Sequence, residues 1–177
     1  PYTTLFRSQN LRFRRSGETA QAARYWMDAH LAGSTKPEVL LSSARAFRAI
    51  GNAEEAMEAC RLLQAAFAGT AEALDARFEH AQILCEAGRV REALERLELL
   101  AAATEGRPQQ LPVLTATGDL YQSVGLSERA ADAFRDVAAL STEPEVLAHA
   151  AASLLESGAI DDGLVVAKRV DVRRLSD

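Results

Sequence analysis

The 177-residue chain has only two cysteines, and they form no Cys-x-x-Cys pair. That excludes the zinc and thioredoxin-like sites that need this spacing. Cys60 and Cys85 read as small apolar fillers on helices. The three histidines, His30, His80 and His149, stand in no His-Glu-x-x-His arrangement. His80 and Cys85 are five residues apart, which on a helix turns them to diverging faces and leaves the thiol without a base in reach. No Gly-x-Gly-x-x-Gly, phosphate-loop or Gly-x-Ser-x-Gly sequence occurs. The expectation is no catalytic residue, no cofactor and no metal. Prolines number five, no window alternates apolar and polar residues over a strand's length, and no apolar run is long enough to cross a membrane. Neither a sheet nor a membrane span is expected.

Alanine is abundant, at 35 residues, and favours helix throughout. The most informative feature is a ladder of five glycines, Gly17, Gly51, Gly88, Gly125 and Gly158, spaced 34, 37, 37 and 33 residues apart. An apolar helical run precedes each, and a second follows after a short polar link. A fixed period of this size marks a solenoid of repeated supersecondary units. Each ladder glycine is expected in a turn, because it permits the positive φ common just past a helix end. Small residues at Ala44, Ala81, Gly118 and Ala151 on the first helices, and at Ala22, Ala56, Ala93 and Ala130 on the second, let paired helices approach closely. Phe47, Tyr121, Trp26 and Phe134 fill the space between hairpins. Ser34 to Leu40 recurs as Ser141 to Leu147, 107 residues on. Each copy predicts a helix start, with threonine and the glutamate three residues later forming a capping box around a proline in the first turn. Asn52 with Glu55 predicts another cap.

The fourth copy carries Leu114, Gly118 and Tyr121 before Gly125, then Ala130 and Phe134. This spacing resembles the tetratricopeptide repeat (TPR), with Leu114 where that family places tryptophan. The other copies match less fully. The resemblance implies an all-α fold, a right-handed αα-superhelix (TPR-like solenoid) of about five helical hairpins. The repeats are expected at about 9–34, 35–69, 70–107, 108–141 and 142–170, with 171–177 a polar tail or truncated continuation. Residues 1–8 resemble a translated sequencing adaptor, with no initiator methionine, and are expected to lie outside the repeat array of 9–170.

Net charge is −5 but uneven. Residues 1–48 carry +5, 49–106 carry −6 and 107–177 carry −4. The basic run Arg12-Phe13-Arg14-Arg15 sits in an acidic chain with Phe13 at a core position, so nucleic acid is not an expected partner. In the family resembled, the first helix of each hairpin lines a concave groove that holds peptide segments. Projecting those positions gives Arg14, Leu41, Arg45, Arg48, Phe78, Gln82, Glu86, Asp119 and Gln122. Some members grip a terminal carboxylate with a Lys/Asn clamp; Arg45 and Arg48 have no matching Asn here. The resemblance thus implies a non-catalytic protein-interaction scaffold, part of a larger bacterial protein, whose partner is a protein or peptide. A recruiting segment of a larger enzyme and a module that self-associates end to end remain alternatives.

Overall fold

The computed structural model describes residues 17–28 and 36–170. All regular structure among them is helical. Helix α1 includes 17–28. It is followed by α2 (Pro37–Ala49), α3 (Ala53–Ala66), α4 (Ala71–Glu86), α5 (Val90–Ala103), α6 (Gln110–Ser123), α7 (Ser127–Leu140), α8 (Pro144–Glu156) and α9 (Ile160–Ala167). Packing groups the chain into two units, Pro1–Gly88 and Arg89–Asp177.

In the first unit, α2 and α3 form a hairpin and α4 packs on both. Helix α2 opens on Pro37, with Glu38 in its first turn and Arg48 in its last, so both charges suit the helix dipole. It ends at Gly51, whose φ is +81°. The Gly51 N–H donates to the Arg48 carbonyl at 2.9 Å and the Asn52 N–H to Phe47 at 2.9 Å. This paired closure satisfies two carbonyls that the helix leaves open, and only glycine takes the left-handed residue without strain. Phe47, Leu40, Ala44, Ala56, Cys60 and Leu63 are fully buried beneath it. Helix α4 starts at Thr70, whose hydroxyl accepts from the Ala73 N–H at 3.2 Å. Helix α1 joins through Ser43, which donates to the Ala23 carbonyl at 2.8 Å.

In the second unit, α6–α7 and α8–α9 form hairpins and α5 packs on α6. Phe134, Val137, Leu147 and Leu154 centre its core. Gly125 and Gly158 have φ of +76° and +85°. Each repeats the closure at Gly51, with Leu126 N–H to the Tyr121 carbonyl and Ala159 N–H to Leu154, both at 2.9 Å. Past α9, Arg169 reaches back and donates to the carbonyls of Ala138 at 2.7 Å and Ser141 at 3.1 Å, filling acceptors at the end of α7.

Three local expectations are corrected. Gly17 lies among helical residues without a positive φ; glycine permits a left-handed turn but does not require one. The turns also use Gly69, φ +89°, and Gly106, φ +68°, which the ladder leaves out. The capping box at the start of α8 does not form. Helix α8 begins at Pro144 with Glu143 as its cap residue and no side-chain cap bond, so Thr142 falls one position too early. Proline holds the residue before it extended, and Ser141 Oγ accepts from the Glu143 N–H at 3.1 Å. Helix α2 has Lys36 as its cap residue, and Asn52 caps α3 by position, both without a side-chain bond; Thr35, on which the other predicted box depends, lies outside the described residues. Residues 1–16, with the adaptor-like segment and Arg14, and residues 29–35 and 171–177 lie outside the described residues.

Candidate binding face on the first helices of the hairpins

In the first unit, α2 and α4 bring four of the projected residues together: Arg45, Arg48, Gln82 and Glu86. They meet around a fifth that the projection missed, Glu79. Its residue exposure is only 7%, and its carboxylate is divided between two guanidinium groups. Arg45 Nε donates to Oε1 at 2.8 Å and Arg48 Nη1 to Oε2 at 2.8 Å. Arg48 Nη1 also donates to Gln82 Oε1 at 2.6 Å, and its Nε and Nη2 both donate to Glu86 Oε1, at 3.0 and 2.7 Å. Hydrogen bonding to Glu86 first, and to Glu79 after it, raises the Arg48 pKa above its ordinary value against the opposing effect of burial. Burial first, then the Glu86 charge, pushes the nearby Cys85 thiol up.

The two arginines are placed differently. All three Arg48 nitrogens have partners and its side chain is 26% exposed, whereas Arg45 uses only Nε and is 55% exposed. The Nη edge of Arg45 therefore faces solvent while the buried carboxylate fixes its orientation. An open cleft of about 420 Å³ lies here, lined by Arg45, Arg48, Ala49, Glu79 and Glu86. Phe78 is half-buried on α4, and Leu41 is buried, 6% exposed, within the core.

The second unit carries Asp119 and Gln122 on α6. Asp119 Oδ1 lies 2.9 Å from His149 Nε2, and Gln122 Nε2 donates to Glu156 Oε2. The register matches that of the first unit. Arg45 and Asp119 stand six residues before their turn glycines, and their partners Glu79 and His149 stand nine before the next. Arg48 and Gln122 stand three before, and Glu86 and Glu156 two before. Successive first helices in each unit are thus tied by two polar rungs at the same positions. The signal for Glu79 and His149 was present as polar side chains at matched offsets, but groove projection considers one helix at a time. Among the described residues no three His, Cys, Asp or Glu side chains are grouped to hold a metal, and no helix is long and apolar enough to cross a membrane.

No protein-family model matches the chain, and no curated protein sequence does. Solved structures do. The nearly identical TPR-like repeats of a kinesin light chain from Podosopora anserina match with a TM-score of 0.67 at 20% identity, over 94% of this chain and 92% of that one. MamA from Desulfovibrio magneticus RS-1 matches at 0.65 and 20% identity, over 98% and 96%. PilF of Pseudomonas aeruginosa matches at 0.68 and 19%, over 92% and 72%. The fold is therefore an all-α TPR-like solenoid of helical hairpins.

Proposed function

We propose that the chain is a non-catalytic interaction scaffold that binds an acidic, carboxylate-bearing peptide segment along its first helices, with Arg45 and Arg48 as the anchoring cations. The observation that carries this reading is Arg45. Its guanidinium is oriented by a buried carboxylate, and its outer edge opens on the α2–α4 cleft. A guanidinium held this way offers a paired donor edge to a carboxylate at any working pH. TPR-like neighbours support a scaffold role at the level of fold. A peptide-array screen with the wild type and an Arg45→Glu/Arg48→Glu variant tests the reading. Acidic peptides should be captured by the wild type, weakly at high salt, and lost by the variant. Identical peptides with identical salt dependence would remove the basic face from the binding site.

A second reading, self-association, rests on α9. Ile160, Leu164 and Val165 are 51%, 50% and 60% exposed. Five residues past Gly51, Gly88, Gly125 and Gly158 stand the small residues Ala56, Ala93, Ala130 and Gly163; two positions on, Glu58, Glu95 and Asp132 give way to Val165. Apolar surface of this kind favours association. Light scattering across a concentration series, repeated with Leu164→Glu/Val165→Glu, separates the outcomes. A monomer mass at every concentration in both proteins rules self-association out.

A further inference from the structure

Arg45 and Arg48 share the anchor Glu79, but only Arg48 has a second carboxylate on it. Glu79 and Glu86 are unlike acids. Glu79 is buried, bonds both arginines through separate oxygens, and lies inside α4. Glu86 is the last residue of α4 and its side chain is 55% exposed. A carboxylate at a helix C-terminus is disfavoured by the helix dipole, and the hydrogen bonds it makes here are to Arg48. Glu86 is thus an exposed acid in an unfavourable place, resting on the Nε–Nη2 edge of an arginine beside an open cleft. That edge is the one a guanidinium normally offers to a carboxylate.

We infer that Glu86 is an internal stand-in for the ligand: a peptide carboxylate displaces it from the Nε–Nη2 edge of Arg48, while Glu79 stays in place and keeps both guanidinium groups oriented. The inference rests on the reading of this face as a carboxylate-binding site and gives the ligand a pattern. Arg45 and Arg48 are three apart on α2, which places their Cβ atoms about 5–6 Å from each other. In an extended peptide, side chains two residues apart point to one side, about 7 Å apart. Two acids separated by a single residue therefore match the exposed Nη edge of Arg45 and the vacated edge of Arg48 together. Glu86 turns into solvent, where its hydration replaces the lost ion pair. Because that pair is partly exposed, its contribution is modest, and exchange for a ligand carboxylate is nearly balanced.

The test uses the full chain and a fluorescein-labelled octapeptide of alternating glutamate and alanine, with its glutamine counterpart as control, read by fluorescence anisotropy. Glu86→Gln should bind the acidic peptide roughly 2–5-fold more tightly than the wild type, the factor expected from removing a partly exposed competing ion pair. Arg48→Gln added to Glu86→Gln should abolish the gain. Glu72→Gln removes the same charge at the opposite end of α4 and should change affinity little. Equal gains from Glu72→Gln and Glu86→Gln would mean that only net charge matters and would overturn the inference. So would an unchanged or weaker affinity in Glu86→Gln with binding still lost in Arg45→Glu/Arg48→Glu, a result that leaves the groove reading standing. If neither wild type nor Glu86→Gln prefers the acidic peptide to its glutamine counterpart, the groove reading falls and the inference with it.

Discussion

A Cβ atom on Gly118 would lie 2.9 Å from Cζ of Phe134, with Cε2 and Cε1 at 3.0 and 3.1 Å. The ring of Phe134 is fully buried, and His149 meets it edge-on at 5.5 Å between centroids. It therefore has little room to retreat. Gly118→Leu should destabilise the protein by about 1–3 kcal/mol through overpacking. Urea melts of the two proteins measure this, and equal midpoints would contradict the close approach.

Gly163 repeats the relationship on α9. A Cβ there would meet Leu155 Cγ at 2.7 Å, Cδ2 at 2.8 Å and the Ala151 carbonyl oxygen at 3.1 Å. Exposed helical glycines usually gain about 1 kcal/mol on conversion to alanine. Here the gain is opposed by a backbone atom and by the branch point of a side chain. Gly163→Ala should therefore lower the denaturation midpoint, and a higher midpoint would show that the partly exposed Leu155 side chain yields without cost.

Tyr121 gives a prediction in alkaline solution. Burial first, then the hydrogen bond its hydroxyl donates to Glu98, raises its pKa above the usual tyrosine value. The folded state thus holds the phenolic proton more tightly than the unfolded state does. The corresponding stability is fully present below the unfolded pKa, about 10, and is lost as pH rises through the raised folded value. Tyr121→Phe should show a shallower loss of stability above about pH 10 in denaturant melts collected across alkaline pH. Parallel curves for the two proteins would count against it.

These positions show what the sequence makes legible. Gly51, Gly125 and Gly158 announce their turns because the backbone there needs a left-handed residue, and composition records that need directly. Gly118 is legible for a related reason, since a close helix approach leaves only small residues acceptable. Gly17 misleads because a glycine inside a helix looks the same in sequence as one in a turn. Thr142 misleads because the start of α8 is set by Pro144, which shifts the cap by one residue. The arginines of the binding face are visible in sequence, but their state is not. Whether Arg48 is bare or engaged depends on Glu79 and Glu86, which lie 31 and 38 residues away. Such pairing depends on how one repeat stacks on the next, which helical periodicity within a repeat does not encode.

Glu79 provides the last prediction, which separates the fold's use of this cluster from the ligand's. Its carboxylate is nearly buried and is the anchor shared by Arg45 and Arg48. Glu79→Gln leaves one oxygen to accept and puts an amide against two cations. Hydrogen bonds to charged groups contribute about 1.5–3 kcal/mol each when the partner is left unsatisfied, and exposure of Arg45 reduces its share. A net loss of about 1–3 kcal/mol is expected. A double-mutant cycle with Arg48→Met should recover a coupling between the two positions, because they are in direct contact. The coupling should persist at high salt, since a largely buried pair is screened little. Additive losses would mean that Glu79 tolerates an unpaired Arg48 and is not what holds α2 to α4.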